Sequence, residues 1–456
     1  MPDQTVLEEA RQVTDAATND FIAGTHRALV VRAGAGAGKS GLVVQATCAA
    51  AAAGMRVVVA APTNAQVADL VCRIAPAAKK VQIAYLHKQP GESFQVDPRV
   101  TALSNVTATH HPVMTASAPI VISTMDKLAF SAAKMGSFDR MILDEAYQAD
   151  STRYMCVAPL AERHLLVGDS GQLDPFSTVD CSRWRGLSED PLLTAIGVLE
   201  KNHRDSTGAH ALPLTRRLPA SAVPVVQPAF YGRGLPFRAA SLPPDREMRL
   251  APSPTKRDRL QRAAHAALDG AAMHGWAHLE LADKPVLTAD PEAVEIITHL
   301  VAGLFARSPK VRCEKTASSK RPWTELGHRQ VAVVVSHNDQ KDLVRARFEA
   351  EGLDDVLVDT ANRAQGLEFE VVIAWHPLAG LVDLDEFHLA PGRACVMLTR
   401  HRQACIVVGR AGDRDALRYQ PPTPPAFLGE DKDPLLDGWE AHRHVFDALT
   451  PHVISA

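Results

Sequence analysis

The sequence predicts an α/β protein with two parallel-sheet layers. Two observations carry this. Short apolar runs alternate with helical patterns through the first half, and the same alternation restarts at about residue 199. Strands separated by helices imply parallel pairing with right-handed crossovers. The chain has 456 residues, 46% of them hydrophobic, which is enough for more than one core.

Taken in order, strands are expected at 28–31, 55–61, 119–123, 140–143 and 164–167. Residues 39–53 are rich in Ala and free of Pro, which favours a helix, and Gly54 is placed to end it. Thr63 and Gln66 form a capping box for a helix over 64–75. Residues 78–118 break the rhythm and read as a small insertion. The second layer expects strands at 286–288, 330–335, 356–359, 371–375 and 404–408, and a helix over 339–351. The division is therefore 1–198, then 199–415 with an insertion at 231–329, then a tail over 416–456. Residues 219–255 are rich in Pro and read as connections. Residues 307–329 carry seven Lys/Arg against two Glu, a candidate basic surface. The tail holds Pro421-Pro-Thr-Pro-Pro425, an acidic stretch and a helical pattern over 437–449.

Composition excludes several classes. The net charge is −3, so coating of nucleic acid by bulk charge is not expected; any such binding must use a local path. The seven Cys include no C-x-x-C pair, which removes support for a zinc module or a disulfide framework. The N-terminal segment lacks a basic region followed by an apolar core, so no signal peptide is expected. The apolar stretch 40–55 is shorter than the roughly 20 residues of a membrane span and contains Gln45 and Thr47. A cytoplasmic protein without membrane contact is the expectation.

Ala33-Gly34-Ala-Gly36-Ala37-Gly38-Lys39-Ser40 follows a strand and opens a helix, the context a phosphate-binding loop requires. Gly34, Gly36, Ala37 and Gly38 bring backbone N–H groups to phosphate oxygens. Lys39 is positioned for the β- and γ-phosphates of ATP and Ser40 for Mg²⁺. The strict pattern has Gly where this chain has Ala33. Farther on, Met141-Ile-Leu-Asp144-Glu145 is a buried strand ending in two carboxylates. Asp144 is the candidate Mg²⁺ holder, and Glu145 the base that orients or deprotonates the attacking water.

These two motifs begin a longer set. Asp144-Glu-Ala-Tyr-Gln148 and Leu166-Val-Gly-Asp169-Ser-Gly-Gln172-Leu-Asp-Pro175 resemble motifs II and III of superfamily 1 helicases. Val358-Asp359-Thr-Ala-Asn-Arg-Ala-Gln365-Gly366-Leu-Glu368 resembles motif V, and Val396-Met-Leu-Thr399-Arg400 resembles motif VI. Ala61-Pro62-Thr63-Asn64 matches motif Ia, and Leu199-Glu-Lys-Asn202-His203-Arg204 resembles motif IV. The resemblance covers about residues 28–410. It departs from the family at His401, where a small residue is common, and at His203, where many members carry Tyr.

The resemblance implies two RecA-like domains with ATP in the cleft between them and single-stranded nucleic acid across both. It implies that Gln172 senses the γ-phosphate and that Arg204 and Arg400 are arginine fingers, with Arg216 and Arg217 close by as alternatives to Arg204. Gly366 and Glu368 would lie near the nucleotide. Pro62, Thr63, Asn64, Ser123 and Thr124 would face the nucleic-acid backbone, joined by Ser336 and Asn338. Motif III resembles the Upf-like and RecD-like branch, which moves 5′ to 3′; the phosphate loop resembles the UvrD-like branch, which moves the other way. Motif III is taken as the guide. The implied activity is an ATP-driven helicase or translocase. A RecA-like ATPase switch that clamps nucleic acid without unwinding is the alternative. A small-molecule kinase would have no use for motifs V and VI in a second half. Richness in Ala, and in Arg over Lys, suggests a GC-rich bacterial or phage genome and favours DNA over RNA.

Overall fold

The computed structural model describes residues 3–91, 94–175, 179–184, 187, 190–232, 234–254, 258–314, 316, 319, 322–419 and 434–456. The first half is a sheet of eight strands: β1 (Ala28–Ala33), β2 (Val57–Ala61), β3 (Ile83–Leu86), β4 (Val106–Thr109), β5 (Ile120–Thr124), β6 (Phe138–Asp144), β7 (Ala161–Gly168) and β8 (Thr207–Leu212). Their order is β4-β3-β5-β2-β6-β7-β1-β8, and every neighbouring pair is parallel. A parallel sheet is covered on both faces, so its central strands are apolar throughout; all five residues of β2 are buried. Helices α1 (Gln4–Ala23), α2 (Lys39–Ala52) and α3 (Asn64–Ala77) fill one face through Phe21, Leu42, Val43, Leu70 and Ile74. Helices Met125–Ser131, Ser151–Val157 and Ala195–Asn202 cover the other through Leu128, Tyr154 and Ile196.

The remaining strands are β9 (Leu214–Thr215), β10 (Arg238–Ala239), β11 (Glu247–Arg249), β12 (Trp276–Leu281), β13 (Lys310–Arg312), β14 (Thr324–Glu325), β15 (Val331–Val335), β16 (Leu357–Thr360), β17 (Phe369–Trp375), β18 (His401–Arg410) and β19 (Val453–Ser455). The second half is a parallel sheet in the order β16-β15-β17-β18-β12-β19. Helices Arg259–His274, Pro291–Ala306 and Asn338–Glu351 pack on one face, and Val223–Phe230, Pro391–Leu398 and Pro434–Leu449 on the other. The fold is thus two parallel-sheet layers, as the alternating pattern implied. No helix among the described residues is long and apolar enough to cross a membrane.

Four elements differ from the sequence-based expectation. Residues 78–118 extend the first sheet with β3 and β4 and are not a separate insertion. The first sheet closes with β8, so the expected boundary at 198/199 falls inside helix Ala195–Asn202. Residues 286–288 form no strand, and Leu287 is 86% exposed; the sheet takes β12 instead. The sequence of β12, Trp-Ala-His-Leu-Glu-Leu, looks half polar, but His278 is fully buried beneath Phe446. Much of the expected tail belongs to the second layer, because helix Pro434–Leu449 packs on it and β19 pairs with β12. The Pro421–Pro425 run and the acidic stretch lie outside the described residues.

Part of the basic segment 307–329 is paired with acids, Arg329 with Asp355 at 3.1 Å among them. Arg307 pairs with Asp269 and Arg312 with Glu247, while Arg249 and Arg312 flank Trp323 at 3.9 and 5.3 Å from the ring centroid. Lys315, Lys320 and Arg321 lie outside the described residues. His401, the departure in motif VI, is buried edge-on against Trp276 with ring centroids 4.9 Å apart, so a ring fills the space where relatives have a small residue.

Candidate functional site

The phosphate loop sits at the C-terminal end of β1, between the sheet and α2. Ala33 is the last residue of β1, paired with Leu212 and buried in the core, which explains why a Cβ replaces the pattern's first Gly. Gly36 and Gly38 have φ of 73° and 95°, a region L side chains rarely adopt. A Cβ on Gly36 would also stand 2.3 Å from the Cβ of Arg217. Gly34, Ala35 and Ala37 are buried, and Lys39 and Ser40 form the first turn of α2.

Strands β6 and β7 bring the acids to the loop. The Lys39 ammonium lies 3.6 Å from Glu145 Oε1 and 3.6 Å from Asp169 Oδ2. Burial alone would depress the lysine, but Glu145, Asp169 and Asp144 outweigh it and hold the amine above its ordinary range. Burial pushes Asp144 up to about 7, and neighbouring Glu145 adds to the shift against Lys39. Glu145 has φ of 53°, a strained conformation for a non-Gly residue, costing roughly 1–3 kcal/mol and typical of functional positions. Gln172 donates to Asp169, which fixes motif III against the lysine.

The second half meets this cluster directly. Gln365 Nε2 donates to Gln172 Oε1 at 3.1 Å, joining motifs III and V. Helix Pro391–Leu398 comes so close to motif III that a Cβ on Gly392 would stand 2.6 Å from the Gln172 carbonyl oxygen. Arg217 pairs with Glu368 at 2.9 Å and donates to the Thr399 carbonyl at 3.3 Å. Burial opposes ionisation of Glu368, but Arg217 and Arg402 bring its pKa below the usual carboxylate range. Arg400 is 1% exposed and donates to the Val396 carbonyl and the Thr399 hydroxyl. Burial brings it down to about 10, with Arg217 adding, so it remains charged at neutral pH. Gly366, at φ 82°, makes the exposed turn leading to Glu368.

Arg204 is not in this cluster. It is exposed in the short 3-10 turn before β8. The parallel register pairs Ala28 with Thr207 and Ala33 with Leu212, so Arg204 lies at the end of the sheet opposite the loop. The strand between spans roughly 17 Å. Arg216 and Arg217, in the connection after β9, occupy the position expected of it: Arg216 N donates to the Gly36 carbonyl at 2.8 Å. Tyr231 has no motif to announce it, yet its hydroxyl accepts from Ala35 N at 3.1 Å and lies 3.4 Å from Cys395 Sγ. It thereby links the loop to the second half.

A cleft of about 930 Å³ opens beside motif Ia. It is lined by Pro62, Thr63, Asn64 and Thr124 together with Lys88, Lys127 and Lys134. His110, His111, Phe130, which is 85% exposed, and the acidic Asp126 also line it. Ser123 is not part of this surface: it is 0% exposed, and its hydroxyl donates to the Leu86 carbonyl. Ser336 is likewise buried, its hydroxyl against Met397 Sδ. Both occupy strand ends whose side chains turn into the core. Asn338 is exposed and accepts from Lys341, at the end of the second sheet away from Arg400.

Residues 10–183 match a family model described as an AAA domain, and residues 282–412 match a second model, also described as an AAA domain. The two models fall on the two sheets, and between them carry motifs I to III and V to VI. Both halves of the chain are thus similar to AAA domains. The chain is similar to the solved structure of PRRSV helicase, at 13% identity over 88% of this chain, with a TM-score of 0.40. It is similar also to an arterivirus nonstructural protein 10 helicase solved with DNA, at 12% identity over 89% of this chain, with a TM-score of 0.41. It spans 54% and 63% of those two chains. No curated protein matches it significantly.

Proposed function

We propose that this chain hydrolyses ATP between its two layers and uses the cycle to move along single-stranded nucleic acid. The substrate strand in this reading is DNA, on composition, and the direction 5′ to 3′, on the form of motif III. The observation that carries the reading is the junction of Gln172 with Gln365 beside Lys39 and Glu145: the hydrolytic residues of one half are bonded to the other half, so turnover and domain arrangement depend on each other. The division between the halves falls, in this reading, in the connection after Leu212.

The amides of Gly36, Gly38, Lys39 and Ser40 and the Lys39 ammonium bind the phosphates. Arriving γ-phosphate competes for Lys39 and so frees Glu145, which takes a proton from the attacking water. Arg217 and Arg400 supply cations to the charge spreading over the transferring group. Ser40 and Asp144 give the hard oxygen donors that Mg²⁺ prefers, and two adjacent carboxylates facing one lysine leave room for its charge. Bound there, the ion would neutralise phosphate charge. Thr63, Asn64, Thr124 and the lysines of the cleft hold the strand.

Steady-state ATPase with no polymer, single-stranded DNA and RNA tests the reading. Stimulation by DNA above RNA is expected. Turnover indifferent to both polymers would discard it. Stimulation without displacement of a paired strand or movement along a single one would leave a clamp that switches without unwinding.

A further inference from the structure

A chain of side-chain hydrogen bonds runs from the floor of the motif Ia cleft to the carboxylate beside Lys39. Thr63 N and Thr63 Oγ1 donate to Gln66 Oε1 at 3.0 and 2.9 Å. Gln66 Nε2 donates to Gln148 Oε1 at 3.5 Å. Gln148 Nε2 donates to Glu145 Oε2 at 3.2 Å, while the other oxygen of Glu145 faces Lys39. The direction of donation is fixed from both ends. A backbone N–H can only donate and a carboxylate can only accept, so neither amide can flip without placing like groups against each other. Thr63 lines the cleft and is exposed, and Gln66 and Gln148 are half-buried.

We propose that Gln66 and Gln148 are positioning residues that report strand occupancy at Thr63 to Glu145. This rests on the single-strand reading above. The two groups that Thr63 gives to Gln66, its N–H and O–H, are donors a strand phosphate would take, since phosphate oxygens only accept. With Thr63 engaged by a phosphate, Gln66 Oε1 loses both partners and its amide is free to turn. Gln148 then loses its donor and no longer fixes Glu145. The base is released towards water only when a strand lies in the cleft. Without a strand, the glutamines and Lys39 hold Glu145 from both of its oxygens.

The test uses the full chain with Gln66→Met and Gln148→Met, which keep side-chain length and remove the amide, and Thr63→Ser, which keeps the hydroxyl. ATPase is measured with and without single-stranded DNA, alongside equilibrium binding of a labelled oligonucleotide. In each Met variant, basal and DNA-stimulated turnover should approach each other, cutting the stimulation ratio about 10-fold. The KM for ATP and the oligonucleotide affinity should stay within about two-fold. The double variant should be no worse than either single one, because the groups act as a unit. Thr63→Ser should keep the wild-type ratio. A normal ratio in either Met variant overturns the relay, as does an equal loss of basal and stimulated turnover or an affinity loss that accounts for the whole effect. If the wild-type chain itself shows no stimulation, the single-strand reading fails and the relay with it. Stimulated wild type with equally stimulated variants removes the relay alone.

Discussion

The two sheets share an architecture and differ in what their edges carry. The first presents the C-terminal ends of β1, β6 and β7, where Lys39, Glu145 and Asp169 form a largely buried ionic cluster at the phosphate loop. At the corresponding end of the second sheet, Arg410 pairs with buried Asp290 at 2.7 Å and partly exposed Glu292 at 2.9 Å. The second sheet meets the first through its opposite edge, where Gln365, Glu368 and Arg400 precede β17 and β18. In the proposed function, one fold therefore supplies a nucleotide site in one copy and a partner for that site in the other, and residues at the strand ends decide which.

That contrast can be broken by mutation. The largest losses should come from the first sheet. Lys39→Ala should leave no measurable hydrolysis, and Glu145→Gln should keep nucleotide binding while turnover falls on the order of 10³-fold. Near-normal turnover in either would move the site elsewhere. Next come the cations facing it. Arg217→Ala or Arg400→Ala should cost on the order of 10³-fold in turnover with far less change in ATP affinity, whereas Arg204→Ala should behave as wild type. A damaged Arg204→Ala enzyme would show that the position opposite the loop matters after all. Gln365→Ala removes one neutral bond between the halves and should lower stimulated turnover by about 10-fold. An unchanged rate would make that contact incidental.

The smallest effect concerns stability of the second sheet. His278, His376 and His442 meet around Phe446 beneath helix Pro434–Leu449, with Glu280, Asp413 and Arg414 nearby. Burial depresses all three, His278 and His442 to about 4 and His376 well below its usual value. A depressed histidine favours the folded state when neutral. Its stabilisation is complete above pH 6.5 and is lost as pH falls towards 4. Melting temperature should therefore drop by several degrees between pH 7.5 and 5, with loss of the helix signal first. Asp413, which burial raises to about 7, works in the opposite sense over the same range, so a flat profile in an Asp413→Asn variant would mean the trio is not buried in solution.

Legibility followed the chemistry of each segment. The phosphate loop and the Asp144–Glu145 strand end could be read because their backbone and charge needs admit few residue types. Strand β12 could not, because burial of His278 contradicts the polarity of its pattern, and Leu287 offered an apolar decoy nearby. Ser123 near the end of β5 and Ser336 just after β15 stand where a groove residue would, but one residue of register decides whether a side chain points inward. Arg204 matched a short motif, while Arg217 reached the loop only because the chain returns through β8 and β9. Tyr231 left no signal, since its role comes from packing between segments nearly 200 residues apart.

Tyr231 also sets a thermodynamic condition on the machine. Ala35 is buried in a hydrophobic cluster that includes Ala361, Ala364 and Cys395 from the second half, and its amide is bonded to that tyrosine. In the proposed function, the surface that receives phosphate is thus part of the joint between the halves. Free energy is exchanged reciprocally across such a joint: nucleotide that tightens the contact by some factor is itself held tighter by the same factor. Mechanical load on the strand, pulling the halves apart, would then act directly on how long nucleotide stays bound.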